Sequence, residues 1–366
     1  MKDVLFHLKQ QTDICRFQAN LAKWYQVHHR KLPWRESHDP YRIWISEVML
    51  QQTQVKTVIP YFLNFIDHFP TLQDLAESDL GTVLKMWEGL GYYARARNFH
   101  KAAAIITNDL NGAIPDDFYQ FKKLPGVGDY IGAAVQSIAF GHPFAVVDGN
   151  VKRVLARLYC IKYPVNKPSS HKQFKDYADS LLDKNEPRTF NQAMMELGAL
   201  LCTPRNPQCN TCPVSEFCKA VLSDKVNAFP RRVRAKKVPT YHIAAGIVRK
   251  NGKILITRRK LEGLLGGLWE FPGGKLKKHE DASSACIREL QEETGITTQI
   301  ESHLTTIHHA YTHFKIQMDI FYCRYISGRI HLTGPIDFKW IRLKDIDTFA
   351  FPKANLKFIP MIEEEQ

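Results

Sequence analysis

The chain has no uninterrupted apolar run approaching the roughly 18 residues that a membrane span needs. Its first stretch, MKDVLFHLKQQTD, breaks any apolar pattern with charges. A soluble, unexported protein is expected. Acidic residues are the minority charge, 37 Asp and Glu against 50 Lys and Arg, for a formal net charge of +13. That imbalance is high for a metabolic enzyme and points to a polyanionic partner such as nucleic acid. Cysteine is sparse, eight in 366 residues. Four of these, Cys15, Cys160, Cys286 and Cys323, are scattered through apolar or helical contexts where a buried free thiol is the default, so no disulfide framework is expected. Strand-like alternation is missing from the first 160 or so residues, where apolar positions recur three or four apart between breaks at Pro33, Pro40, Pro70, Pro115, Gly126 and Gly141.

What is present divides the chain. At 366 residues it can hold two domains of ordinary size, each with its own core. The helical pattern resumes after Pro168 and runs to a cysteine cluster. Then NAFPRRVRAKKVPT, with Arg231, Arg232, Arg234, Lys236 and Lys237 and no acid, reads as an exposed linker suited to a phosphate backbone. Beyond it, YHIAAGIVRK, GKILITRR, FKIQMDIFYCRY and FKWIRL are short β-rich runs around one helical segment, 281–293. The expected division is 1–225 helical, 226–239 linker and 240–366 α+β.

Cys202, Cys209, Cys212 and Cys218 lie in one polar string, CTPRNPQCNTCPVSEFC, with gaps of six, two and five residues. Four thiolates on a short loop can enclose a metal centre, because the loop closes at low entropic cost and its Pro and Asn permit the turns. Zinc is one reading of the CxxC pair, but zinc ribbons use two knuckles far apart. A single compact string fits a [4Fe–4S] cluster better. The spacing resembles the cluster loop of the helix-hairpin-helix DNA glycosylases, the family of endonuclease III and the adenine DNA glycosylases. That resemblance implies a structural cluster shaping a basic DNA-contacting loop, with Arg205 and Lys219 as phosphate contacts.

In LPGVGDYIGAAVQSIAFGHPFAVVDGNVKRVLARLY, residues 124–128 form a glycine hairpin ahead of a helix expected over 129–140. Gly126, Val127 and Gly128 let the backbone approach a phosphate, and the N–H groups opening the helix point at it. The wording resembles the hairpin of the same family. Asp148 taken alone reads as a helix N-cap; the resemblance implies that it sits in the active site. Glu47 stands in YRIWISEVMLQQTQVKTVI, read as one helix, among inward-facing Trp44, Val48, Met49, Val55 and Ile59. SEVMLQQTQV resembles the segment carrying the catalytic glutamate of adenine DNA glycosylases of the MutY type. LPWR at 32–35, with Trp34 and Arg35, resembles their adenine-pocket segment.

The resemblance implies a division of labour between two carboxylates. Glu47 protonates N7 of adenine, with a pKa raised by apolar surroundings. Asp148 stays ionised and stabilises the sugar cation. Tyr130 and Asn150 match assisting positions. Bifunctional relatives carry a lysine where this chain has Tyr130, and a phenol cannot form a Schiff base, so base removal without strand cleavage is expected. Gln52 and Tyr92 match the wedge residues that fill the stack once a base is extruded. Arg95, Arg97 and Lys101 follow at helical spacing as phosphate contacts. Asp129 departs from the family pattern by placing an acid beside the hairpin, which weakens phosphate binding there.

GKLKKHEDASSACIRELQEETGI fills every fixed position of the Nudix box: Gly274, Glu280, Arg288, Glu289, Leu290, Glu292, Glu293, Gly295 and Ile296. Glu289, Glu292 and Glu293 fall at i, i+3 and i+4 on one helical face, a cage for Mg²⁺ on a pyrophosphate. MutY-type enzymes carry a similar domain that recognises 8-oxoguanine. Two readings stay open: lesion recognition alone, or hydrolysis of a nucleoside diphosphate derivative as well. Tyr311, Thr312 and His313 match the family's recognition loop. The expected whole is a mainly α glycosylase half plus an α+β Nudix-like domain, acting as a monomer on double-stranded DNA with adenine opposite 8-oxoguanine or guanine, in the cytoplasm and on the nucleoid if bacterial. The rivals are a nucleotide pyrophosphohydrolase tethered to DNA and a non-catalytic iron–sulfur DNA sensor.

Overall fold

A computed structural model describes residues 11–234 and 237–363. Residues 1–10 and Lys236, both used in the sequence reading, lie outside the described residues. Two compact units divide the chain: Met1–Gln73 with Ala102–Ala235, and Asp74–Lys101 with Lys236–Gln366. The second is discontinuous, taking in a segment from the first third of the sequence. No described helix is long and apolar enough to cross a membrane.

The helices in chain order are α1 (Gln11–His28), α2 (Pro40–Leu50), α3 (Val55–His68), α4 (Leu72–Glu77), α5 (Leu80–Met86), α6 (Ala94–Asp109), α7 (Phe118–Phe121), α8 (Asp129–Ile138), α9 (Gly149–Leu158), α10 (His171–Leu181), α11 (Pro187–Leu200), α12 (Lys219–Leu222) and α13 (Ala282–Thr294). The segment read as one helix from Tyr41 is two. Asp39 caps α2 through Tyr41 N, and Pro40 presets its first turn. The helix then stops at Leu50 because Gln52 adopts a left-handed backbone, φ 57°. Val55 and Ile59 consequently fall on α3, where they are half-buried rather than core. The helix expected over 129–140 ends at Ile138, before Gly141 with φ 75°.

The first unit packs α1, α9, α10 and α11 around Phe17, Leu21, Leu155, Phe174 and Leu197, with Val214 and Phe217 of the cysteine loop completing the cluster. Full burial of each such side chain stabilises by roughly 1.5–3 kcal/mol. A smaller cluster of Ile43, Ala133, Ala134, Ile138 and Val146 joins α2 to α8. These two contacts place the ends of α2, α8 and α9 together.

The second unit is built on a mixed sheet of β1 (Thr240–Lys250), β2 (Lys253–Arg258), β3 (Trp269–Glu270), β4 (Gly273–Lys275), β5 (Thr297–Ala310), β6 (Lys315–Ser327) and β7 (Asp337–Ile341). Its main order is β3-β2-β1-β6-β5, with β4 also on β1 and β7 on β2. Only β1 and β6 run parallel among these pairs. Helix α13 covers one face through Ala285, Cys286 and Leu290, and Phe351, Phe358 and Ile362 cover the other. The longest strand, β5, was not anticipated, because TTQIESHLTTIHHA has few apolar residues and its register shifts at bulges. Segment 74–101 is tied in by Phe351 N donating to Glu88 Oε1 at 2.7 Å and Lys85 Nζ to Phe349 O at 3.1 Å. Of the scattered cysteines, Cys286 and Cys323 are buried with sulfurs 3.9 Å apart; Cys15 is exposed and Cys160 half-buried, against expectation.

Gly246 on β1 allows α13 to sit close: a Cβ there would lie 2.8 Å from Leu290 Cδ1 and 3.1 Å from Cys323 Sγ. Gly246→Val is expected to cost roughly 1–3 kcal/mol through overpacking, read as a lower urea midpoint; an unchanged midpoint would contradict this packing.

Candidate active site and cysteine loop

A cavity of about 530 Å³ in the first unit is lined by Trp34, Arg35, Glu47, Tyr130, Asp148 and Asn150, together with Arg30, Arg153, Gln192 and Glu196. All six residues proposed from sequence for base removal thus meet around one space. Glu47 projects from the last turns of α2 and is 5% exposed. The Tyr130 hydroxyl, from the first turn of α8, donates to Glu47 Oε2. Burial pushes the Glu47 carboxyl up to about 7; the Tyr130 bond and the Arg35 charge pull it down, and the Asp148 charge pushes it up. Trp34 is buried edge-on against Phe62.

Asp148 is the N-cap of α9. Its carboxylate accepts from Val151 N at 2.6 Å and Asn150 Nδ2 at 3.1 Å. Burial raises its pKa above the usual aspartate value, opposed by those donors and by the Arg153 charge. The site therefore sets an acid that holds its proton near neutrality beside a second carboxylate stabilised as an anion. Arg153 Nη2 holds Asn150 Oδ1 at 2.9 Å and Gly198 O at 2.7 Å, while its Nε donates to Cys202 O at 2.7 Å. The approach of α11 to Asn150 needs a glycine, since a Cβ on Gly198 would come within 2.7 Å of Asn150 Cβ.

The cysteine loop adjoins this network. Arg157 Nη1 donates to Cys202 Sγ at 3.3 Å and to Thr203 O at 2.8 Å. Burial pushes the Cys212 thiol up to about 12 and Cys218 up to about 11, and the neighbouring thiols add to both shifts. Four thiolates are therefore costly here without a compensating positive centre, which is what bound iron supplies. Among the described residues no three His, Cys, Asp or Glu side chains could hold a single metal ion. The loop thus suits a group wider than one ion. Arg205 and Lys219 are exposed on it.

Other nominated residues separate into three kinds. Gln52 and Tyr92 both adopt left-handed backbone, φ 57° and 51°, a conformation rare outside glycine and concentrated at functional sites. Within the second unit, Tyr92 Oη lies 2.5 Å from Thr312 Oγ1, in the turn between β5 and β6 that holds Tyr311 and His313. Arg95 and Arg97, by contrast, are committed internally: Arg95 stacks on Trp87 and Tyr92 and donates to Gly91 O, and Arg97 donates to the carbonyls of Gly263 and Gly266. Beside the hairpin, where Gly126 takes φ 80°, Asp129 is paired with Lys122 at 2.5 Å. Its charge is therefore offset.

The Nudix-box carboxylates are engaged with each other's counterions. Arg288 contacts Glu280 and Glu289 at 2.7 Å and Glu292 at 3.0 Å, and Lys277 reaches Glu292 at 3.3 Å. Glu293 turns inward to accept from Gly273 N at 3.1 Å, and burial pushes it up to about 8. No three of these acids form a cation cage among the described residues.

Sequence reading missed Glu196, a 1% exposed carboxylate on α11. It receives Arg30 Nη2 at 2.8 Å and Arg35 Nη2 at 2.9 Å. Burial alone would raise it, but these donors win and hold it at about 2. The available signal was the one used for Glu47, a lone acid within an apolar helix (FNQAMMELGALL). Glu196→Gln would leave two guanidinium groups facing one uncharged amide, at an expected cost of roughly 3–5 kcal/mol. Urea unfolding at pH 7 measures it; a loss below about 0.5 kcal/mol, the size of a bland surface change, would remove this pair from the structural account.

Comparison with known proteins agrees along the chain. Residues 45–177 match the HhH-GPD superfamily of base excision DNA repair proteins, 202–218 the iron-sulfur binding domain of endonuclease III, and 243–361 the NUDIX domain. An adenine DNA glycosylase of Rattus norvegicus is 33% identical over 410 residues, covering 97% of this chain and 79% of its own. One from Buchnera aphidicola subsp. Baizongia pistaciae is 38% identical, covering 70% and 73%. Among solved structures, a thermostable thymine-DNA glycosylase superposes with TM-score 0.53 at 30% identity, over 58% of this chain and 100% of its own. An endonuclease III–DNA complex gives 0.50 at 25%, over 59% and 98%. Likeness that spans nearly the full length, on a fold whose cavity, hairpin and cysteine loop sit where that likeness requires, makes this chain a member of the adenine DNA glycosylase family.

Proposed function

We propose that the protein removes adenine standing opposite 8-oxoguanine or guanine in double-stranded DNA, hydrolysing the N-glycosidic bond and leaving the strand intact. The observation that carries this reading is Glu47, protonatable near neutrality and enclosed in one cavity with Asp148 and Tyr130. Anionic adenine is a poor leaving group, so Glu47 delivers its proton to N7 as the bond from C1′ to N9 breaks. The Asp148 carboxylate faces the positive charge developing on the sugar and stabilises it, transiently bonding to C1′. Water then supplies the hydroxyl at C1′ and its proton restores Glu47. Tyr130 fixes the acid, Asn150 orients Asp148, and Trp34 and Arg35 wall the base pocket.

Around that chemistry, Gln52 and Tyr92 fill the space left by the extruded nucleotide. Gly126, Val127 and Gly128 bring the hairpin backbone and the opening of α8 to a phosphate. Tyr311, Thr312 and His313 read the opposing base. Cys202, Cys209, Cys212 and Cys218 hold a [4Fe–4S] cluster that cross-links the loop and takes no part in the steps above. Mg²⁺ is given no step, since Glu289, Glu292 and Glu293 are paired or turned inward. The working division is 1–225 for base removal and 240–366 for the opposing base, joined by the basic stretch 226–239. The protein works as a monomer in the cytoplasm, on the nucleoid if bacterial.

Two outcomes are expected. Single-turnover adenine release should be highest below about pH 7 and decline above it as Glu47 loses its proton. Its acid limb, from protonation of Asp148, should lie above the ordinary aspartate range. Glu47→Gln should lower the rate by roughly 10²–10⁴-fold with DNA binding retained; unchanged release would reject Glu47 as the acid. On duplexes with adenine opposite 8-oxoguanine, guanine, cytosine or thymine, product strands should break only after hot alkali, and breaks without alkali would overturn the assignment of Tyr130 to a purely hydrolytic enzyme.

A further inference from the structure

A second cavity, about 490 Å³, opens in the C-terminal unit, close to the volume of the one that holds Glu47. Apolar side chains of β1 and β6 form its floor, and the rings of Tyr241, Phe314 and Tyr311 form one wall, with centroids 5.7 and 4.9 Å apart along the row. Apart from Tyr311, nothing lining it belongs to the proposed repair chemistry.

Its polar groups are few and placed. Asn355 is 4% exposed and lines the cavity. Its backbone N–H is bonded to Pro352 O at 2.8 Å, yet its side-chain amide makes no hydrogen bond among the described residues. A buried amide left in that state costs roughly 1–3 kcal/mol, which a ligand edge would recover. Lys275 sets its ammonium 3.7 Å from the centre of the Tyr241 ring. Arg259 closes another side, bonded to Glu270 at 2.7 and 2.9 Å. With Glu293 protonated near neutrality beside them, Arg259 and Lys275 outweigh Glu270, and the cavity favours an anion.

We infer that this cavity binds a free purine nucleoside monophosphate, its base against the aromatic wall, its edge read by the Asn355 amide and its phosphate drawn to Lys275. An asparagine amide offers a donor next to an acceptor, so it pairs twice with an edge that does the same. Adenine provides this with its N6 amino group beside N7. 8-Oxoguanine provides it with N7–H beside O6. Guanine does not, since N7 and O6 both accept and would face the amide oxygen unpaired. The inference concerns binding without turnover and stands whether or not the glycosylase reading does.

Calorimetric titration of the full-length protein with dAMP, 8-oxo-dGMP, dGMP and deoxyribose 5-phosphate tests it. Saturable binding is expected for dAMP, for 8-oxo-dGMP or for both, with dGMP weaker by roughly tenfold or more and the sugar phosphate without detectable binding. Asn355→Asp should remove the preference over dGMP while leaving adenine release from DNA unchanged. Equal affinity for all three purines, an undiminished preference in Asn355→Asp, or no saturable binding up to about 1 mM, the weak end of specific recognition, would overturn it. The discrimination among purines is read on the unaltered protein, so the test survives a variant that fails to fold.

Discussion

Removing one carboxyl group from water sets the terms for the active centre. Glu47 is carried by a helix buried on nearly every side, and in that setting its charged form is penalised until the proton stays on near neutrality. The cost is contained because the Tyr130 hydroxyl gives the carboxyl a partner and because Asp148, close enough to oppose ionisation of Glu47, finds its own donors at the opening of α9. Two acids with different surroundings thereby hold different protonation states. The helix ends that create this difference are fixed by core packing of α2 on α8 and of α9 on α11.

The same framework extends to the cysteine loop through backbone carbonyls. Arg153 spans Asn150, Gly198 and Cys202, and Arg157 holds Cys202 and Thr203. Both guanidinium groups are buried, so their hydrogen bonds are not interchangeable with water. Displacement of the loop would withdraw acceptors from Arg153 and loosen the residue that orients Asp148. A cluster with no step in the reaction is thus coupled mechanically to the residues that have one.

Much of this was legible in the residues. The cysteine spacing, the glycine hairpin and the acid set among apolar neighbours each carry chemistry in a short span, so local pattern suffices. The helix break after Leu50 was hidden because QQTQ lacks Gly or Pro, and only the left-handed Gln52 reveals it. Strand β5 was hidden because its stability comes from pairing along β6 rather than from its own apolar content. Glu196 carried a readable signal that was passed over. The fate of the Nudix-box acids was not readable at all: helical spacing places them on one face, but which counterion each meets depends on Lys277 and Arg288, brought there by the fold. Arg95 and Arg97 teach the same lesson, since a basic residue at helical spacing serves a phosphate only if no carbonyl claims it first.

The left-handed backbone at Gln52 and Tyr92 also narrows the substitutions that each position tolerates. Valine, isoleucine and threonine, branched beside the main chain, are disfavoured at such φ values whatever the ligand requires. Glycine relaxes the torsion but deletes the side chain, and asparagine accepts the torsion with a shorter reach. Variation at these two sites is therefore filtered twice, by chain conformation before any encounter with DNA.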